Sequence, residues 1–151
     1  MHLGVESAKS SCHASYGTIQ QFCKEMYGLE LSRGLLSKGV QKASDALQTP
    51  YEQLMGQLPY EYYLGVDETG HKDDGKLHWS WCFQNSRYCV FHINASRGSQ
   101  VLKAVLGETF KGTLGSDYYS SYHKYMKDCG VLIQYCMAHL IREIRFLAEH
   151  S

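Results

Sequence analysis

The sequence predicts an α/β protein: a mixed sheet of three antiparallel strands followed by alternating helix and strand, preceded by a small helical segment. Three observations predict it. Up to about residue 59, apolar side chains recur at helical spacing. From residue 60 to 93 they alternate with polar ones, in three runs separated by turn residues. From residue 97 onward helical and strand patterns take turns. The expected division is an irregular lead-in at 1–17, a helix-turn-helix-like segment at 18–59 and the α/β domain at 60–151.

The totals agree with a folded chain. At 151 residues it suggests one domain, or one with a small appendage. Hydrophobic residues make up 44%, which excludes general disorder. Lys+Arg and Asp+Glu are 15 each, so the net charge is zero, which counts mildly against a strongly nucleic-acid-binding protein. No stretch has the pattern of a transmembrane helix or a signal peptide, so a cytoplasmic location with no membrane partner is expected. Six cysteines are present, with no C-x-x-C, and read mostly as buried thiols. Cys12, His13 and Cys23 fit no zinc spacing.

Within the helical segment, Thr18 to Gln21 has the form of a capping box. Ile19, Phe22, Cys23 and Met26 follow it at helical spacing, and Gly28 is a natural stop. Ser32 can cap a second helix with Leu36, Val40, Ala43 and Leu47 on its buried face. Pro50 is expected to end it. A short third helix from Tyr51 to Leu58 would stop at Pro59. Two helices joined by a Gly-containing turn make a helix-turn-helix candidate, whose second helix would expose Arg33, Ser37, Lys38 and Gln41. Such side chains can contact phosphates or base edges. A plain helical hairpin has the same pattern.

The first strand is expected from Tyr60 to Asp67. Tyr62, Leu64 and Val66 would face one way, and Tyr63, Gly65 and Asp67 the other. A strand that ends on a carboxylate can begin a turn or deliver a site, and this stretch alone leaves both open. Asp74-Gly75 is a strong hairpin signal. Leu77, Trp79, Trp81 and Phe83 give the second strand one very apolar face. Asn85-Ser86 turns the chain into a third strand, Tyr88 to Ile93. Then come a helix with Val101, Leu102, Val105 and Leu106, a strand from Lys111 to Ser116, and a helix from Tyr118 to Met126. A strand from Val131 to Tyr135 precedes a last helix with Leu140, Ile144 and Leu147 inside.

Crossovers through helices favour parallel neighbours. Three antiparallel strands followed by alternating helix and strand is the order of an RNase H-like sheet, in which the first and fourth strands lie side by side. Asp67 and Asp117 would then stand at the same end of adjacent strands. Clustered carboxylates repel unless a cation sits between them, and Mg²⁺ or Mn²⁺ prefers such oxygen ligands. In two-metal phosphoryl transfer the ions activate the attacking oxygen and stabilise the leaving one. Cys136 and His139, three apart at a helix start, show no second half of a zinc site. They read as a buried thiol and a hydrogen-bonded imidazole.

Several short motifs then form a recognisable series. They are Val66-Asp67-Glu68-Thr69-Gly70, Gly75-Lys76-Leu77-His78-Trp79, Ser96-Arg97-Gly98-Ser99, Phe110-Lys111-Gly112, Ser116-Asp117-Tyr118-Tyr119-Ser120-Ser121-Tyr122 and Cys136-Met137-Ala138-His139-Leu140-Ile141-Arg142. In order and spacing they resemble the insertion-sequence-66 family of transposases. Tyr27-Gly28-Leu29 and Leu31-Ser32-Arg33-Gly34 resemble the helical segment that precedes the catalytic domain there. The resemblance implies an RNase H-like DDE transposase, acting in the bacterial cytoplasm on the nucleoid. Its partners would be DNA, as transposon ends and target, and further copies or other transposase segments. It implies Asp67 and Asp117 as the first two catalytic acids and metal ligands, with Cys136 and His139 as structural support near the site. Arg97 joins the candidate DNA contacts. The third acid of the family, a Glu, comes later on another helix. The chain ends at Ser151, so neither Glu143 nor Glu149 is assigned, and a truncated domain inactive by itself is expected. The alternative is a non-catalytic remnant that binds DNA or oligomerises.

Overall fold

The computed structural model describes residues 13–150. Most of the expected lead-in, Cys12 included, lies outside the described residues. The chain falls into two compact units, Met1–Glu52 and Gln53–Ser151.

The first unit holds α1 (Tyr16–Tyr27) and most of α2 (Arg33–Gln57). The cap of α1 is Ser15, not Thr18: Ser15 is extended, and its Oγ accepts the Thr18 backbone N–H at 3.0 Å. Gln21 therefore does not reach back along the chain, and its Nε2 donates forward to Glu25 at 2.9 Å. Gly28 ends the helix at φ 65°, a left-handed conformation that a Cβ would strain. Ser32 caps α2 as expected, its Oγ accepting the Leu35 N–H at 3.1 Å. Between the helices the Gln20 Nε2 donates to the Leu31 carbonyl at 2.6 Å. Ile19, Leu36 and Gly39 are buried. Leu47, expected on a buried face, is exposed, as are Phe22 and Met26 of α1.

Pro50 does not end α2, and no separate third helix exists among the described residues. The helix runs through it for 25 residues. Proline removes one helical donor, but its fixed φ is compatible with the helix. Around it the Gln48 Nε2 donates to Glu52 Oε1 at 2.6 Å, an i,i+4 pair that supports the helix on either side of the proline. Strong helix formers then carry the helix to Gln57, where the tight turn Leu58–Tyr60 takes over around Pro59.

The second unit holds a five-stranded sheet: β1 (Tyr63–Asp73), β2 (Lys76–Gln84), β3 (Cys89–Asn94), β4 (Thr113–Ser116) and β5 (Leu132–Tyr135). Between and after these strands lie α3 (Ser99–Leu106), α4 (Ser120–Cys129) and α5 (Met137–His150). The spatial order is β3-β2-β1-β4-β5. β1, β2 and β3 pair antiparallel, whereas β1–β4 and β4–β5 pair parallel. This is the RNase H-like arrangement, reached by the predicted order of elements.

β1 is longer than expected and does not stop at Asp67. It pairs with β2 in unbroken register from Gly65↔Gln84 to Asp73↔Lys76. Thr69-Gly70 is not a turn, because the Trp79 ring covers Gly70; a Cβ there would lie 3.3 Å from it. The reversal comes at Asp74-Gly75, with φ 48° and 74°, as the Asp-Gly signal requires. The pairing with β4 is short, Tyr63↔Thr113 to Gly65↔Gly115.

One face of the sheet carries the core. Leu64, Val66, Trp81, Phe83, Val90 and Leu114 are buried, as are Val101, Leu102, Val105 and Leu106 of α3 and Tyr122 and Tyr125 of α4. Fully burying a Leu, Val or Phe side chain contributes roughly 1.5–3 kcal/mol. The Trp81 Nε1 donates to the Ser96 carbonyl at 3.1 Å, so its polar edge is satisfied. The other parity of the same strands is open: Asp67, Phe91, Ile93 and Leu132 are exposed. The expected inner face of α5 is not buried either: Leu140 is half-buried, and Ile144 and Leu147 are exposed.

The described cysteines, Cys23, Cys82, Cys89, Cys129 and Cys136, are free, but none is fully buried. Their predicted burial does not hold. Cys82 and Cys89 face each other across β2 and β3, with sulfurs 3.3 Å apart. No described helix is long and apolar enough to cross a membrane.

Candidate active site

The β1–β4 register brings the two candidate acids level. Gly65 pairs with Gly115, and Asp67 and Asp117 each follow two residues later. Leu64 and Val66, like Leu114 and Ser116, are buried, so the alternation turns both acids to the open face. Asp67 is exposed and Asp117 half-buried. Each carboxylate is oriented by a near backbone donor. Asp67 Oδ1 accepts the Glu68 N–H at 2.9 Å, and Asp117 Oδ1 accepts the Tyr119 N–H at 2.9 Å. Neither acid forms an ion pair among the described residues. Both press on the same neighbour, Tyr122, whose hydroxyl pKa is pushed far up by burial first, then by Glu68, Asp117 and Asp67.

Glu68 is the site residue that sequence reading passed over. It points the opposite way from Asp67, into the core, and its carboxylate is wholly buried. Arg97 Nε donates to Glu68 Oε1 at 2.8 Å, and the Tyr122 hydroxyl donates to Oε2. Burial pushes the Glu68 pKa up, against the hydrogen bonds from Tyr122 and Arg97; the charge of Asp117 pushes it further up. Burial works against the Arg97 charge, but the Glu68 carboxylate outweighs it, and the net shift is upward. The guanidinium carbon lies 3.7 Å from the Tyr119 ring centre and 4.6 Å from that of Trp79. A signal for Glu68 existed: it shares parity with Leu64 and Val66, so a carboxylate on an apolar strand face needed a cation, and Arg97 stood in one of the family motifs.

The remaining candidates scatter. Arg97, expected to contact DNA, is engaged internally through Nε. Arg33, Ser37, Lys38 and Gln41 are exposed on α2, in the other unit, and Gln41 is tied to Asp45 at 2.8 Å. Cys136 is half-buried at the end of β5, where its backbone N–H donates to the Ser116 carbonyl at 2.8 Å, next to Asp117. The backbone N–H and imidazole of His139 hold the Cys136 thiol below its usual range. The expected hydrogen bond of His139 is made to the Cys136 thiol, while its Nδ1 is buried without a partner among the described residues. Glu143 and Glu149 are exposed on α5.

The donor set suits a hard divalent cation: two carboxylates, each with an oxygen left beyond its backbone contact, on one open face. Among the described residues no group of three or more His, Cys, Asp and Glu side chains is assembled as a metal site. Two acids would leave most positions on the ion to water or phosphate, as Mg²⁺ commonly accepts. A cavity of about 650 Å³ lined by Pro59–Tyr62 and Ala104–Gly107 lies at the opposite, amino-terminal ends of β1 and β4, away from the acids.

Among solved structures, the fold is similar to a chain of the simian T-cell lymphotropic virus intasome in complex with PP2A regulatory subunit B56 gamma. That match has a TM-score of 0.40 and 9% identity over 50% of this chain and 31% of that one. It is also similar to the HTLV-2 integrase catalytic core domain in complex with magnesium, with a TM-score of 0.36 and 10% identity over 59% of this chain and 67% of that one. The chain thus spans less than a third of the first relative's length. No curated protein matches the sequence. The family model described as Transposase IS66 family matches residues 6–151, nearly the whole sequence, and the chain belongs to that family of transposases.

Proposed function

We propose that Asp67 and Asp117 are two acids of a DDE-type transposase site that cuts and joins DNA with Mg²⁺ or Mn²⁺. One observation carries this reading: two acids, fifty residues apart in sequence, each follow by two residues the last pair of the β1–β4 register, Gly65↔Gly115. Membership of a transposase family supports the same chemistry. Asp67 and Asp117 would hold divalent ions, which would supply activation of the attacking oxygen and stabilisation of the leaving oxygen of a phosphodiester. The chain's own part is positioning. The Glu68 and Tyr119 backbone N–H groups orient the carboxylates, and the open face leaves room for a DNA backbone. Arg33 and Lys38, with Ser37 and Gln41 beside them, are the proposed DNA contacts of the helical unit. Cys136 and His139 support the strand end next to Asp117.

A nicking or strand-transfer assay on a duplex carrying the transposon end, with Mg²⁺ or Mn²⁺, tests the reading. Because the chain is expected to be inactive by itself, the assay adds the transposase segments that carry the third acid. Asp67→Asn and Asp117→Asn should then each lower the rate by at least about a hundredfold, the loss expected when an interaction made in the transition state is removed. Undiminished cleavage by either variant would reject the assignment. The second reading, a chain that binds DNA without cutting it, draws on the third acid not joining the pair among the described residues. It predicts DNA binding with no nicking by the unaltered chain, even with those segments added.

A further inference from the structure

We propose that Glu68, Arg97 and Tyr122 form a clamp around the buried Glu68 carboxylate that sets the spacing of Asp67 and Asp117, with Glu68 a positioning residue and not a ligand. The inference rests on the metal-binding reading of the two acids. The need for a clamp follows from the sheet. Parallel pairing of β1 with β4 ends at Gly65↔Gly115, two residues before either acid. Beyond that point no strand ladder joins the two segments. The next link between them is Glu68. It follows Asp67 in β1, and its two oxygens take Arg97 and Tyr122.

Both partners lead to Asp117. The Arg97 guanidinium stacks 3.7 Å from the Tyr119 ring, and the Tyr119 N–H holds the Asp117 carboxylate. Ser121 Oγ donates to the Arg97 carbonyl at 2.7 Å, fixing that segment to the first turn of α4. Tyr122 lies one residue further on, wholly buried. The backbones on either side of the acids therefore meet on one carboxylate. Stability alone does not account for it. Burying an ion pair often gains nothing over apolar side chains of the same size, and such groups are kept in some proteins because they specify one arrangement. A network behind a ligand fixes its orientation, and losing a member typically lowers metal affinity about 10–100-fold.

Mn²⁺ titration of residues 1–151, read from the free-ion signal by electron paramagnetic resonance, tests the clamp. Glu68→Gln and Tyr122→Phe are compared with Asp67→Asn and with Lys103→Ala, which removes the half-buried Lys103–Asp128 pair. Near-ultraviolet circular dichroism at the same temperature identifies the folded variants. Both clamp variants should bind Mn²⁺ at least about tenfold more weakly while folded, and Lys103→Ala should bind normally. If Glu68→Gln does not fold, Tyr122→Phe, which keeps its ring in the core, decides. Unaltered affinity in a folded clamp variant, with Asp67→Asn impaired, overturns the clamp and leaves the metal site standing. Unaltered affinity in Asp67→Asn overturns both.

Discussion

Two thiols near the acids are driven in opposite directions by their neighbours. Burial, Cys89 and the charge of Asp67 push the Cys82 thiol up to about 11. His139 pulls Cys136 down. The thiolate is the reactive form, so a raised pKa means slower alkylation and a lowered one faster. At pH 8 roughly one Cys82 in a thousand would be ionised. Iodoacetamide labelling followed by peptide mass spectrometry should therefore modify Cys136 at least about tenfold faster than Cys82. His139→Ala should narrow the difference, and labelling of Cys82 first would contradict these environments. Single residues were unevenly legible in the sequence. Asp67 and Asp117 could be singled out because each closes an alternating run. Glu68 was harder to single out, since an acid beside another acid reads as a turn, and only its parity with Leu64 and Val66 marks it.

At the scale of elements, composition predicted type well and ends poorly. The sequence pattern ends β1 at Asp67, because Thr69-Gly70 favours a turn in isolation; a nine-residue register with β2 overrides that preference. It divides α2 at Pro50 because proline breaks most helices; here the fixed φ of proline suits the helix, and the loss is one backbone donor. The cap of α1 fell to Ser15, three residues before the Thr that the pattern favoured. The start of α2 came out as expected, and the exposed cations near it carry a prediction of their own. Arg33→Ala combined with Lys38→Ala should weaken DNA binding across all sequences. It should also reduce the slope of log affinity against log salt by up to about 2, one for each phosphate no longer neutralised. An unchanged slope in a binding titration over a range of salt would remove the helical unit from the DNA interface.

For the molecule as a whole, the order of elements was enough to derive the sheet, because right-handed crossovers leave few ways to arrange three antiparallel strands and two helix-linked ones. The sheet then made a pair of two acids that no local pattern could join. What lay beyond the sequence was the open face: composition could not show that α5 leaves Ile144 and Leu147 exposed, or that neither acid forms an ion pair among the described residues. The central claim is that Asp67 and Asp117 serve one metal site. A double-mutant cycle on Mn²⁺ affinity tests it most directly. Groups that act as a unit are strongly non-additive. Asp67→Asn and Asp117→Asn should each weaken binding by at least about tenfold, and the double variant should be little worse than either one. Additive losses, or a normal affinity in either single variant, would contradict the shared site.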